Sequence, residues 1–279
     1  MSNFFATLKK SPTMIIGIII VAIILFVGIF APWLAPKDPN LTVLQDRITA
    51  PNGTYLFGTD DLGRDVLSRI IWGTRVSLQV GVISVSIGMV VGVLLGLVAG
   101  FYRGAIDLVI SAVMDLLLSF PAILLAIALV AALGPGITQV MIAVGISLVP
   151  NFARITRGSV ISVRDSEFVQ ASHSLGAKNV RLIFKHILPN ILTPIVVLAT
   201  LNAAFAIIME AGLSFLGIGV QPPDPTWGAI LSDGRKHIAT GPWISIFAGT
   251  AISLTVLGLN MLGDGLRDLL DPRMKKLIR

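Results

Sequence analysis

The chain has 279 residues, of which 54% are hydrophobic and 13% charged, with a formal net charge of +6. A soluble domain carries about 25% charged residues and cannot expose so much apolar surface, so a lipid bilayer is the solvent these proportions fit. With no cysteine there is no disulfide framework, thiol nucleophile or iron–sulfur site, and three scattered histidines (His173, His186 and His237) argue against a protein-built metal site.

Charge-free windows of about 20 residues, long enough to cross roughly 30 Å of hydrocarbon, mark the expected spans. The first covers 11–36, after Lys9 and Lys10. It is longer than the apolar run of about 7–15 residues in a signal peptide, so it reads as a retained span at about 11–34. An outer segment, 35–75, follows. Within 57–75, Leu62, Val66, Leu67, Ile70 and Ile71 form one apolar face, with Asp60 and Asp61 at the start and Arg75 at the end, as a helix dipole prefers. Asp65 and Arg69 are spaced as an i,i+4 pair. This predicts an amphipathic helix on the outer membrane surface, bracing the second span.

The second window is 76–102. Ser77, Gly81, Ser84, Gly88, Gly92 and Gly96 run along it at near-helical spacing, a pattern that lets helix backbones approach closely. The window 116–153 is about twice too long for one span, and Gly134-Pro135-Gly136 divides it into a third and a fourth. The fifth is 187–209, and 238–263 contains the sixth. No segment alternates as a membrane β-barrel strand does. The fold class expected is an all-α integral membrane protein of six transmembrane helices in one domain, 1–279, with core spans at about 76–264 and a tail at 265–279.

Six spans put both termini on one side. With the N-terminus inside, the inner segments carry twice as many Lys and Arg as the outer ones, which places both termini in the cytoplasm. Basic residues at span ends and loops are the membrane pattern and argue against a nucleic-acid partner.

Between the fourth and fifth spans lies a polar island, 154–190. Arg154, Arg157, Arg164, Lys178, Arg181 and Lys185 face only Asp165 and Glu167 in it. At its centre runs Glu167-Phe168-Val169-Gln170-Ala171-Ser172-His173-Ser174-Leu175-Gly176. Ser166 or Asp165 can cap a short helix there, Glu167 suits its positive end, and Gly176 suits its end. A second helix follows, with Val180, Ile183, Phe184, Ile187 and Leu188 on one face. Pro189 and Pro194 then open the fifth span. The residues alone leave two readings: a connector snorkelling its cations to lipid phosphates, or a surface gripped by a cytoplasmic partner.

Two ionisable groups sit near membrane depth and are candidates for a translocation pathway: Asp115 at the start of the third span and Glu210 near the outer end of the fifth. Each could instead cap a span or pair with a cation. Pro222, Pro223 and Pro225 stiffen the outer loop after the fifth span, and Trp227 and Trp243 suit the membrane interface. No phosphate loop and no nucleophile motif occurs, so catalytic residues and ATP binding are not expected in this chain.

Gln170-Ala171-Ser172, three residues, Gly176, nine residues and then His186-Ile187-Leu188-Pro189 resembles the "EAA" loop of importer-type ABC transporter permeases. The departures at Gln170, Ser172 and His186 resemble the peptide/nickel branch. Phe57-Gly58-Thr59-Asp60, Leu62-Gly63-Arg64-Asp65, Ser214-Phe215-Leu216-Gly217 through Pro222-Pro223, Thr226-Trp227-Gly228 and Leu270-Asp271-Pro272-Arg273 resemble the same branch, so the likeness runs nearly the length of the chain.

The resemblance implies a type I importer permease in the bacterial inner membrane, taking up dipeptides or oligopeptides. It implies that Glu167, Gln170, Ala171, Ser172, Leu175, Gly176 and Lys178 form a coupling helix and its exit, seated in an ATPase. It implies a homologous permease as heterodimer partner, two cytoplasmic ATPases that hold the ATP and magnesium, and an extracytoplasmic binding protein. Outer residues such as Asp60, Arg64, Asp65 and Trp227 would face that binding protein. A chelated metal such as nickel as substrate, and an ion-driven secondary carrier, are the alternatives; the latter usually shows repeats and midplane charges, which are not evident here.

Overall fold

The computed structural model describes residues 12–270. The cations expected ahead of the first span, and the tail after Leu270 with its Asp271-Pro272-Arg273, lie outside the described residues. The chain is helical: α1 (Pro12–Ile29), α2 (Val66–Tyr102), α3 (Gly104–Leu118), α4 (Ala122–Leu133), α5 (Ile137–Arg164), α6 (Glu167–Ser174), α7 (Asn179–Phe215), α8 (Trp227–Arg235) and α9 (Pro242–Leu270). Among the described residues five helices (α1, α2, α5, α7 and α9) are long and apolar enough to cross a membrane, and six spans result if α3 and α4 count as one.

The helices outrun the charge-free windows. A window marks only the hydrocarbon stretch, whereas α2 and α7, at 37 residues each, extend about 55 Å at 1.5 Å per residue. The predicted surface helix at 57–75 is therefore no separate element: Val66 to Arg75 is the first part of α2, and 57–65 is an irregular loop. Likewise 154–164 completes α5, and the helix expected to end at 264 continues to Leu270.

The third span is broken. α3 and α4 meet at 92° across Ser119, Phe120 and Pro121. Proline disfavours helical backbone in the residue before it, and Ser119 turns its hydroxyl to the Leu116 carbonyl. Neither arm alone, at 15 and 12 residues, covers 30 Å.

The most extensive helix contact joins α2 to α5. It is made by the glycine stripe. A Cβ placed on Gly88 would stand 2.7 Å from Leu148 Cβ, and one on Gly92 2.6 Å from both Phe152 Cβ and the Val149 carbonyl oxygen. Gly96 and Gly100 repeat this against Ala153 and Val160, and Gly145 answers from α5 against Ile87. Ser84 adds an interhelical bond to the Met141 carbonyl at 3.0 Å. The stripe is helix packing, as its spacing suggests; Gly81 alone turns toward Ile207 of α7. α7 packs on α2, α5 and α9, and α1 lies against α9 and α2.

Gly92→Leu should force these backbones apart and lower stability by about 1–3 kcal/mol, the usual cost of overpacking. Gly158→Ala, whose Cβ meets nothing within 4 Å, should leave thermal unfolding in detergent unchanged or raise its midpoint slightly. Equal destabilisation by both would contradict the packing account.

Candidate coupling elbow and buried ion cluster

At one end of the bundle the chain turns from α5 into α6 and back into α7. Asp165 and Ser166 break the helix. Ser166 takes the N-cap position but donates its hydroxyl to the Val163 carbonyl at 2.6 Å, so it gives α6 no side-chain cap. Asp165 is held elsewhere, by Arg103 at 2.7 Å and Arg164 at 3.5 Å. Gln170 reaches back to the Asp165 carbonyl at 3.0 Å.

The end of α6 is a Schellman motif. The Ala177 amide donates to the Ser172 carbonyl at 3.1 Å and the Gly176 amide to the His173 carbonyl at 2.9 Å, with Gly176 at φ +86°. Only a residue free of Cβ enters that region without strain, which is why glycine stands there. Lys178 then opens α7, whose turn at Leu182–Ile187 is a wide π-turn ahead of Pro189.

Val169 points inward, 4% exposed, into a cluster with Leu182, Ile183 and Ile187. The opposite face of α6 is unfilled. Phe168, Ala171 and Leu175 recur at i, i+3 and i+7 on it, all exposed, with Leu175 at 89%. Glu167, Gln170, Gly176 and Lys178 are exposed beside them, and Ser172 is half-buried with its hydroxyl bonded to the Phe168 carbonyl. The expected coupling residues are thus brought together on one small elbow, with Phe168 added. An i, i+3, i+7 reading of the island would have found it.

The island's cations divide. Arg157 donates to both oxygens of Asp107 at 2.5 and 2.7 Å, Arg154 pairs with Asp115 at 2.7 Å, and Arg164 bonds the Phe101 carbonyl at 2.5 Å and stacks over that ring. These three tie α5 to α2 and α3 and are not offered to a partner, contrary to the expectation for the whole island. The acids that take two of them lie far back in sequence, outside the window in which the charge was counted. Lys178, Arg181 and Lys185 remain exposed. Asp115 sits near the end of α3, not at the start of a span, and its exposed pair with Arg154 gives it the ion-pair role.

The other end holds a buried charge cluster. Arg64 Nε donates to Asp60 at 2.6 Å, and its Nη2 lies 3.8 Å from Asp61 and 3.7 Å from Asp233 of α8. Arg69 Nε lies 3.4 Å from Asp60, and its Nη1 bonds the Pro39 carbonyl. Asp65 does not pair with Arg69, as its spacing suggested. It caps α2 by accepting from the Ser68 amide and hydroxyl. Burial, with Asp61 beside it, pushes the Asp233 carboxyl above the usual carboxylate range.

Trp227 is 2% exposed and donates its indole N–H to the Ile70 carbonyl at 3.1 Å, so it braces α8 on α2 and does not anchor in lipid. Asp60, Arg64, Asp65 and Trp227, expected at an outer contact surface, are all inside it at 2–7% exposure. Glu210 is fully buried at the α7–α8 contact, accepting from Ser214 at 2.8 Å, with its second oxygen unpartnered among the described residues. Neither of its oxygens reaches the surface of the described chain, nor does it line the cavity beside Arg75. No group of three metal-binding side chains occurs among the described residues.

Residues 92–276 match the family model of the binding-protein-dependent transport system inner membrane component, and 1–52 match that of the N-terminal transmembrane domain of oligopeptide transport permease C. A dipeptide transport system permease of Alkalihalophilus pseudofirmus is 49% identical over 97% of this chain and 89% of its own length. A probable D,D-dipeptide transport system permease of Escherichia coli K12 is 42% identical over 95% of this chain and 89% of its own, and a glutathione transport system permease of E. coli O6:K15:H31 is 43% identical over 98% and 90%. Among solved structures, the MetNI methionine ABC transporter in an inward-facing conformation aligns with TM-score 0.60 at 19% identity, over 74% of this chain and 97% of that one, a likeness of fold.

A double-mutant cycle on thermal unfolding should give Arg157–Asp107 the larger coupling energy, since its two parallel bonds are partly buried. Arg154–Asp115, with both side chains over 60% exposed, should give no more than about 1 kcal/mol. The reverse order would contradict the geometry.

Proposed function

Because the chain belongs to the family of binding-protein-dependent transport system inner membrane components, we propose that it forms half of the pathway of an ATP-driven importer of short peptides. The observation that carries the coupling role is the unfilled apolar face of α6. A leucine 89% exposed at a helix end, flanked by Phe168 and Ala171 and fixed by a Schellman motif, is a preformed knob for a cytoplasmic groove. The named relatives carry dipeptides and glutathione, which supports a peptide substrate over nickel.

On this reading the elbow end faces the cytoplasm, and both termini lie on that side. Each of two homologous permeases seats its elbow in one ATPase, and a binding protein delivers substrate to the opposite end. ATP-driven approach of the ATPases then moves the elbow with α5 and α2 as one body, and the pathway switches its open side. Val169 and the Arg103–Asp165 pair transmit the motion, because they join the elbow to the bundle without a flexible segment, and the Arg157–Asp107 pair carries it from α5 to α3. The chemistry of hydrolysis belongs to the ATPases.

Leu175→Asp should leave the protein folded in the membrane and weaken ATPase co-purification about 10- to 100-fold, the loss expected from one buried leucine side chain. Val169→Asp should unfold the elbow as well, lowering the thermal midpoint. Undiminished co-purification with Leu175→Asp would sink the coupling role. The chain has no native cysteine, so Lys178→Cys reports sidedness directly. An impermeant thiol reagent should label it in inside-out vesicles and not in intact cells.

A further inference from the structure

At the end of the bundle that carries Trp227, a cavity of about 800 Å³ opens between the segment after α1, the first turns of α2 and the loop before α8. Its size falls within the roughly 300–1,000 Å³ of small-molecule sites. Its lining carries two charges of each sign: Lys37 and Arg75, Asp38 and Asp224. In the buried cluster at this end Asp60, Arg64, Arg69 and Asp233 neutralise one another. The charges of the cavity do not: among the described residues Arg75 and Asp224 have no ion-pair or hydrogen-bond partner.

The Arg75 guanidinium lies 6.0 Å from the Trp72 ring, and the Lys37 ammonium stands 3.3 Å over the Tyr55 ring, a contact that places the cation without cancelling its charge. Asp38 accepts the Asn40 amide through Oδ1. Pro36, Pro39 and Pro225 line the same cavity and stiffen it.

Gln79 lines the cavity one turn beyond Arg75 and is exposed. Past it the exposed face of α2 turns apolar at Val82 and Ile83, so the polar lining ends at the cavity.

We infer that this cavity is a receiving site for a short peptide zwitterion, with Arg75 taking the α-carboxylate and Asp224 the α-ammonium beside Gln79. Equal numbers of unneutralised cations and anions suit a ligand that is itself both. Two residues, with Cα atoms 3.8 Å apart, hold its two termini close enough to meet both in one cavity. The inference rests on the peptide-importer reading. A zwitterionic phospholipid headgroup shares the same chemistry, and the test separates the two.

The assembled importer carrying Gln79→Cys is placed in vesicles of phosphatidylglycerol alone, with binding protein. Attachment of a small thiol reagent to this chain is followed by mass, and uptake of alanyl-alanine is read in the same vesicles. Alanyl-alanine should slow labelling about tenfold, the N-acetylated, C-amidated dipeptide should not, and adding Arg75→Gln should abolish the protection. Uptake with labelling unchanged by the dipeptide overturns the cavity assignment and leaves the importer reading standing. Slowing produced by adding phosphatidylethanolamine in place of dipeptide overturns it in favour of a lipid headgroup. Absence of uptake by the assembly without the cysteine overturns both readings.

Discussion

The close approach of α2 and α5 is the contact on which the rest depends. Four glycines of α2 let it lie against Leu148, Phe152, Ala153 and Val160 with no side chain between the backbones. Lipid supplies no hydrophobic drive for two helices to associate, so the attraction must come from close van der Waals contact over a long seam. A seam without intervening side chains joins the elbow beyond Arg164 to the far end at Val66 through packed backbone, the route the proposed coupling requires. The Arg103–Asp165 pair closes the seam beyond Tyr102, and the Arg154 and Arg157 pairs add α3 to α5.

The two ends of this seam are built on opposite principles. At the end that carries Trp227, Asp60, Arg64, Arg69 and Asp233 are brought out of water and neutralise one another, with Trp227 and Trp243 bonding backbone carbonyls around them. Removing one partner there would leave a buried charge uncompensated, a cost of several kcal/mol, so the cluster fixes geometry more than it adds stability. At the elbow end apolar side chains are left exposed, Leu175 and Phe168 among them. A surface that costs solvation and is held rigid by a Schellman motif suits a partner that binds without reordering it.

The spans, the glycine seam and the elbow were legible in the sequence because each rests on a local pattern: a charge-free window, a spacing of four, a glycine at the end of a short helix, although the side-chain cap expected from Ser166 or Asp165 is not formed. What the sequence hid is long-range. Asp107 and Asp115 neutralise cations about 40 to 50 residues away, and no local charge count reveals that. Asp60, Arg64, Asp65 and Trp227 looked like surface residues because charged and indole groups usually are. Their burial depends on α8 folding back from far along the chain. The break at Pro121 was visible as a proline but lay inside a window whose apolar character dominated the reading. Glu210 falls among the same failures: a carboxyl inside a span suggested a pathway, and the structure encloses it between α7 and α8.

The most direct test of the account places a single cysteine at Leu175 of this otherwise cysteine-free chain, bearing a short photoactivated cross-linker, within transport-competent membranes. The elbow account predicts one dominant adduct to the ATPase subunit, strengthened when ATP hydrolysis is trapped. Adducts to lipid alone, in membranes that still import substrate, would mean that α6 lies on the bilayer and that coupling runs through another surface.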